Sequence, residues 1–263
     1  MNKYDLNEIL SLSLDIGEAM IKSGAEISRV EDTITRICTS YGVTFKEVFA
    51  MNSLIVLTLR KNNDTVTESR RILYHKTNLD YLEKLNELSR KICKENISRK
   101  EVLKKINSMK DNENLMHSYF GKIIAASFFT LFFGGNLKDF ISAIIIASLI
   151  HFLDVITKKS NINSLIYSFL CSFLMGFVAI VFTKFNICSN FDKVVIGNIM
   201  LLIPGLSMFI SINDIFKGDT LSGLGRFTEG LFLALCISAG VGFSLLIFGG
   251  LLWLNYYMQP LVH

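Results

Sequence analysis

Five long apolar runs crowd the C-terminal part of this chain: Tyr119 to Gly135, Phe140 to Ile156, Leu165 to Phe182, Val194 to Ile212 and Leu231 to Leu254. Each approaches the ~20 residues that a helix needs to cross a hydrocarbon core ~30 Å thick. A soluble fold has little room for five such segments, and inside lipid the backbone must satisfy its own hydrogen bonds, which favours helices.

The charges fall elsewhere. Of 50 Asp, Glu, Lys and Arg residues, 36 lie in residues 1–117 and 14 in residues 118–263. This segregation predicts a polar head over 1–117 and a transmembrane domain over 118–263, with helices at about 119–135, 140–156, 165–182, 194–212 and 231–254. The expected fold class is an α-helical polytopic membrane protein of about five transmembrane helices with an N-terminal soluble α+β domain. A chain that is 51% hydrophobic, with only two prolines, fits that class better than an ordinary soluble one.

Within the head, Leu6, Ile9, Leu10, Ile16 and Met20 recur at helical spacing. Ser23-Gly24 breaks the pattern, and Ile27, Val30, Ile34, Ile37 and Tyr41 start a second amphipathic stripe. Val43 to Met51, Ser53 to Arg60 and Thr65 to Arg71 read as strands of a small antiparallel sheet, with Asn62-Asn63-Asp64 as a turn. Leu79, Leu82, Leu85, Leu88 and Ile92 restore the helical period, and Val102, Leu103 and Ile106 begin a short helix in a basic segment.

The N-terminus lacks the apolar stretch of a signal peptide, which places the head in the cytosol. Basic residues then set the orientation. With the head inside, cytoplasmic segments carry Lys104, Lys105, Lys110, Lys122, Lys158, Lys159, Lys217 and Arg226, against Lys138, Lys184 and Lys193 outside. The C-terminus is expected outside, with Trp253, Tyr256 and Tyr257 as an interfacial aromatic belt.

Several classes drop out. A net charge of +4 suits basic cytoplasmic loops better than a nucleic-acid surface. Five scattered cysteines form no CxxC pair, and neither a zinc site nor a disulfide framework is indicated. There is no GxSxG and no HExxH, and His75 and His117 are the head's only histidines. An enzyme, a cofactor and a metal are therefore not expected.

Helix breakers and charges at membrane depth mark candidate functional residues, because hydrocarbon penalises both. Pro204-Gly205 lies in the fourth run. A packing kink explains it as readily as a discontinuous helix that opens a solute site. Asn213-Asp214, Gly218-Asp219, Ser222 to Arg226 and Glu229 follow as a run of small and charged residues between the fourth and fifth helices. A solvated loop would look similar, but charges recurring at the mouth of the Pro-Gly helix and glycines that allow close backbone approach argue for a site. Arg226 suits a carboxylate substrate, and Asp214 or Asp219 an ammonium group or a proton. His151 and Asp154, spaced i, i+3, suit a proton relay, although Asp154 at the cytoplasmic interface with His151 packed between helices explains them too. In the head, Ser23-Gly24-Ala25-Glu26 has capping-box spacing, with Ser23 accepting from the Glu26 amide. Arg29, Glu31 and Asp32 are left as an exposed charge lattice or the wall of a pocket.

Two stretches resemble one family. Gly24-Ala25-Glu26-Ile27-Ser28-Arg29-Val30-Glu31-Asp32 looks like the head motif of threonine/serine exporters. Ile203-Pro204-Gly205, Asp214, Gly218-Asp219, Ser222-Gly223-Leu224, Arg226 and Glu229 stand in the order that family shows near its fourth helix. Ile27-Ser28 and Gly230 depart from its commoner residues without removing a motif charge.

The resemblance implies a YjjP-like subunit, similar to the N-terminal half of full-length exporters. It also implies a small YjjB-like membrane partner equivalent to the C-terminal half. Function is then expected to be export of threonine and serine, or of dicarboxylates such as succinate, across the cytoplasmic membrane as a proton-driven secondary transporter. Asp214, Asp219, Arg226 and Glu229 would supply substrate and coupling charges, Pro204 and Gly205 a flexible helix, and the head, with its motif residues Gly24, Glu26, Arg29 and Glu31, a gate or regulatory cap. A homo-oligomer is compatible with the small residues of the fifth helix. A membrane-anchored metabolite sensor or regulatory subunit is the alternative.

Overall fold

A computed structural model describes residues 5–61, 64–73, 77–109, 115–158 and 162–250. Among these residues, ten helices and three strands follow one another: α1 (Leu6–Lys22), α2 (Ile27–Ser40), β1 (Phe45–Met51), β2 (Leu54–Lys61), β3 (Asp64–Arg71), α3 (Leu79–Glu95), α4 (Arg99–Met109), α5 (Leu115–Phe132), α6 (Leu137–Lys158), α7 (Ser164–Lys184), α8 (Phe191–Ile199), α9 (Gly205–Phe216) and α10 (Thr220–Phe248). Of the described residues, one compact unit holds those of Met1–Asn112 and Gly205–Thr228, and the other those of Glu113–Pro204 and Glu229–His263.

In the first unit, α1 and α2 bury their apolar stripes against a three-stranded sheet of order β1-β2-β3. Both pairings are antiparallel, with Val48 opposite Leu57 and Leu57 opposite Glu68. Alternation along β2 buries Ile55, Leu57 and Leu59 against the helices and turns Val56 and Thr58 outward. Gly17 permits the close fit of α1 on α2, since a Cβ there would lie 2.7 Å from the Ile34 Cδ1. At the side of this core, the Asp15 carboxylate on α1 accepts from Arg70 on β3 at 3.1 Å and from Arg99 at the start of α4 at 2.7 Å. A carboxylate this buried needs such partners, and here they pin a strand and a helix to α1. The expected turn residues Asn62 and Asn63 lie outside the described residues, as does His75.

The second unit contains α5, α6, α7, α8 and α10 from Glu229 onward. Among the described residues, three helices are long and apolar enough to cross a membrane: Leu137–Thr157, Ser164–Lys184 and Thr220–Phe248. These helices leave large apolar side chains exposed, among them Phe152, Leu170, Leu235 and Leu246. The first apolar run forms α5, 18 residues long. The proposed aromatic belt at Trp253, Tyr256 and Tyr257 lies outside the described residues, as does the end of the fifth run beyond Gly250.

The fourth run is divided, and this corrects the expectation of one helix over 194–212. α8 stops at Ile199 and α9 starts at Gly205. Leu201 N–H turns back to the Asn198 carbonyl at 3.1 Å and Leu202 N–H to that of Ile199 at 2.8 Å, so the last turn tightens. Pro204, with no N–H and a fixed φ, cannot continue it. The interruption is therefore a break, not a kink. At ~1.5 Å per residue, α8 and α9 are each too short to span ~30 Å.

Close approaches elsewhere in this unit depend on missing side chains. A Cβ on Gly197 of α8 would lie 2.0 Å from the Thr130 Oγ1 on α5, and one on Gly240 of α10 would lie 2.5 Å from the Phe169 carbonyl oxygen on α7. Small residues permit such backbone contact between membrane helices. Asn136 and Asp139 cap α6 reciprocally: Asn136 accepts from the Asp139 amide at 3.1 Å, and Asp139 from the Asn136 amide at 2.9 Å. The other Asp139 oxygen accepts from the amides of Ser189 at 2.7 Å and Asn190 at 2.9 Å, tying the entry of α8 to α6.

Candidate functional site

The first sequence stretch singled out above begins where α1 ends. Ser23 is the C-cap of α1, Gly24 has φ +85°, and Ala25 N–H reaches back to the Met20 carbonyl at 3.0 Å while Gly24 N–H reaches that of Ile21 at 3.0 Å. These are the two bonds of a Schellman termination, which requires the left-handed backbone that glycine supplies. The expected capping box is therefore absent. Ser23 Oγ donates to the Ala19 carbonyl at 2.7 Å, committed to the helix before it, and Glu26 is the N-cap of α2 with no side-chain cap bond.

The missing cap comes from 187 residues away. Asp214 on α9, 0% exposed, accepts the N–H of Ile27, the first residue of α2, through Oδ1 at 3.2 Å. Its second oxygen faces Arg226 Nη1 at 3.4 Å, and Arg226 Nη2 donates to the Ala25 carbonyl at 3.0 Å. Arg226 is itself only 6% exposed. A carboxylate at a helix N-terminus is favoured by the orphan amides and the helix dipole, and the guanidinium offsets the cost of burying it. Lys217 pairs with Glu26 beside this core of three elements.

Local structure explains how α9 and α10 present the pair. Gly218 turns the chain at φ +96°, and α10 begins at Thr220. Residues 222–229 are therefore the first turns of α10, correcting the expectation that they lie between helices. Gly223 lets the two helices touch, since a Cβ would lie 2.5 Å from the Ser211 carbonyl oxygen. Asn52, in the β1–β2 turn, donates to the Ser222 carbonyl at 2.7 Å and holds the start of α10.

Glu31, one turn into α2, accepts from the Ala50 N–H at 2.8 Å. Burial pushes its carboxyl above the usual range, the Ala50 bond opposes that, and the nearby Asp219 charge adds to the rise. Asp219 is also raised by burial, with Lys217 acting against it.

The sequence candidates thus divide. Gly24, Glu26, Glu31, Asp214, Asp219 and Arg226 meet around the start of α2, and Gly205 opens α9 directly after Pro204. Arg29 stands exposed on α2, and Glu229 is exposed on α10 in the second unit. Asp154, also in the second unit, accepts from Lys122 on α5 at 2.6 Å, and the His151 ring packs on that of Tyr119 with centroids 5.1 Å apart. Lys217, Asn52 and the Ala25 and Ile27 backbone are not among the site residues that the sequence suggests. For backbone groups no residue-type signal exists; for Lys217 the signal was its place between Asp214 and Asp219.

Apolar helices of membrane-spanning length point to a membrane protein, and within the first unit α9 and α10 carry a buried carboxylate–guanidinium pair. No curated protein and no solved structure matched the chain. The family model of the threonine/serine exporters, ThrE, matches residues 11–248, and the chain belongs to that family. Its members are transporters acting on small substrates in the membrane, not enzymes.

Proposed function

We propose that this chain is one subunit of a secondary transporter that exports threonine and serine, or dicarboxylates such as succinate, across the cytoplasmic membrane. It works with a second, small YjjB-like membrane subunit and draws on the proton motive force. About five helices cross the bilayer, the N-terminal domain faces the cytosol, and the C-terminus lies outside.

The observation that carries this reading is the Asp214 carboxylate held between Arg226 and the Ile27 N–H. These donors fit any carboxylate, and every proposed substrate has one. In the transport cycle the substrate carboxylate exchanges with Asp214, which frees α9 from α2 and couples solute to the break at Pro204. Alternating access at a discontinuous helix follows the same logic in other transporters. Glu31 and Asp219, which burial inclines toward protonation, Glu31 further through the Asp219 charge, are the proton-coupling candidates.

The test is efflux of labelled threonine, serine and succinate from cells producing this chain with and without the small partner. Efflux of one solute that needs both proteins, and disappears in Arg226→Ala while the protein still inserts, supports the proposal. Efflux unchanged in Arg226→Ala rules out the assigned role of the pair.

A further inference from the structure

We infer that the C-terminal end of α8 binds a small cationic group, either an alkali-metal ion or the ammonium group of an amino acid, with the Asn198 side-chain oxygen as a ligand. Asn198 is 0% exposed, and its Nδ2 donates to the Val194 carbonyl one turn earlier at 3.0 Å. A carbonyl only accepts, so the amide cannot be turned round without opposing two oxygens. Oδ1 therefore points away from Val194, and among the described residues no donor reaches it. Native interiors rarely leave such an oxygen unused, and a leucine of similar size would fill the place without a polar atom.

The backbone around Asn198 favours positive charge. Leu201 N–H goes to the Asn198 carbonyl and not to that of Gly197, which loses its regular helical donor. Pro204 has no N–H to offer the Met200 carbonyl. Backbone oxygens not used by the helix thus lie within a few residues of the side-chain oxygen, at a helix end that carries partial negative charge. Neutral oxygens of this kind suit a monovalent cation or an ammonium group. No group of three His, Cys, Asp or Glu among the described residues provides for a divalent ion. The close approach of Gly197 to Thr130 packs this end of α8 against α5.

The ammonium arm rests on the proposed amino-acid export; the alkali-ion arm does not. The experiment uses the full chain in lipid nanodiscs, with binding of radioactive sodium and of labelled threonine as readouts and choline as the size control. The expected result is sodium binding, excluded for choline, that falls about tenfold or more in Asn198→Leu and is kept in Asn198→Asp. If sodium does not bind but threonine binding shows the same pattern, the occupant is the ammonium group.

Binding of both probes by Asn198→Leu as by the unaltered chain overturns the inference, as does binding of neither probe by the unaltered, folded chain. Should Asn198→Leu not fold, Asn198→Asp decides, because a carboxylate must hold the cation at least as tightly. Arg226→Ala separates the two readings: it abolishes efflux under the transport proposal yet leaves sodium binding at Asn198 intact.

Discussion

Asp214 is 0% exposed, and replacing Arg226 with alanine leaves its carboxylate with the Ile27 N–H and no guanidinium beside it. Replacing Asp214 with alanine leaves a 6% exposed guanidinium and an uncapped α2. Breaking a buried pair from either side costs about 3–5 kcal/mol, mostly the penalty of the stranded charge. Removing both partners strands none, so the double variant is expected to cost less than the two singles added, by about 2–3 kcal/mol, the upper end for residues in contact. The assay is hydrogen exchange of the peptide spanning residues 26–32 in the full-length protein, which reads local opening at the start of α2. About 3 kcal/mol corresponds to exchange faster by roughly 100-fold in each single variant. The double variant should fall well short of the product of the two effects. Protection unchanged in the single variants, or effects that multiply without coupling, would refute the claim that this pair holds α9 and α10 to α2.

Two further outcomes follow from other contacts. Gly240→Ala puts a Cβ 2.0 Å from the Ser172 Oγ and 2.5 Å from the Phe169 carbonyl oxygen, and overpacking of this kind costs about 1–3 kcal/mol. Gly242, with nothing within 4 Å of its Cβ position, is the control whose alanine variant should keep the thermal midpoint of the parent. Glu31 has a raised carboxyl pKa, so the folded state holds that proton more tightly than the unfolded chain. Its contribution to stability therefore falls as pH rises from the ordinary carboxylate value through the raised one. Glu31→Gln should flatten that part of the stability profile, and a slope left unchanged would show that Glu31 does not titrate in that window.

Much of the architecture was legible because hydrophobic periodicity is local. The stripes of α1, α2 and α3 and the alternation of β2 are written in residues three, four or two apart. The run through Val194 and Ile212 misled because composition alone does not register where helical donors are redirected, and Pro204 admits both a kink and a break. Ser23 to Glu26 misled for a similar reason: capping-box spacing and a Schellman termination use the same residues, and Gly24 at positive φ decided for the latter. Asn136 and Asp139, by contrast, carry a capping spacing that is readable in the sequence.

By itself the sequence determined the apolar segments, the charge segregation and the residue types of two stretches nearly 190 positions apart. Only the tertiary structure decided that these stretches meet, that Asp214 caps α2, and that Arg226 reaches a backbone carbonyl at Ala25. Burial is the physical reason. Whether a carboxylate sits in water or against a guanidinium and a helix N-terminus depends on what the remainder of the fold places around it, and no spacing along one helix encodes that.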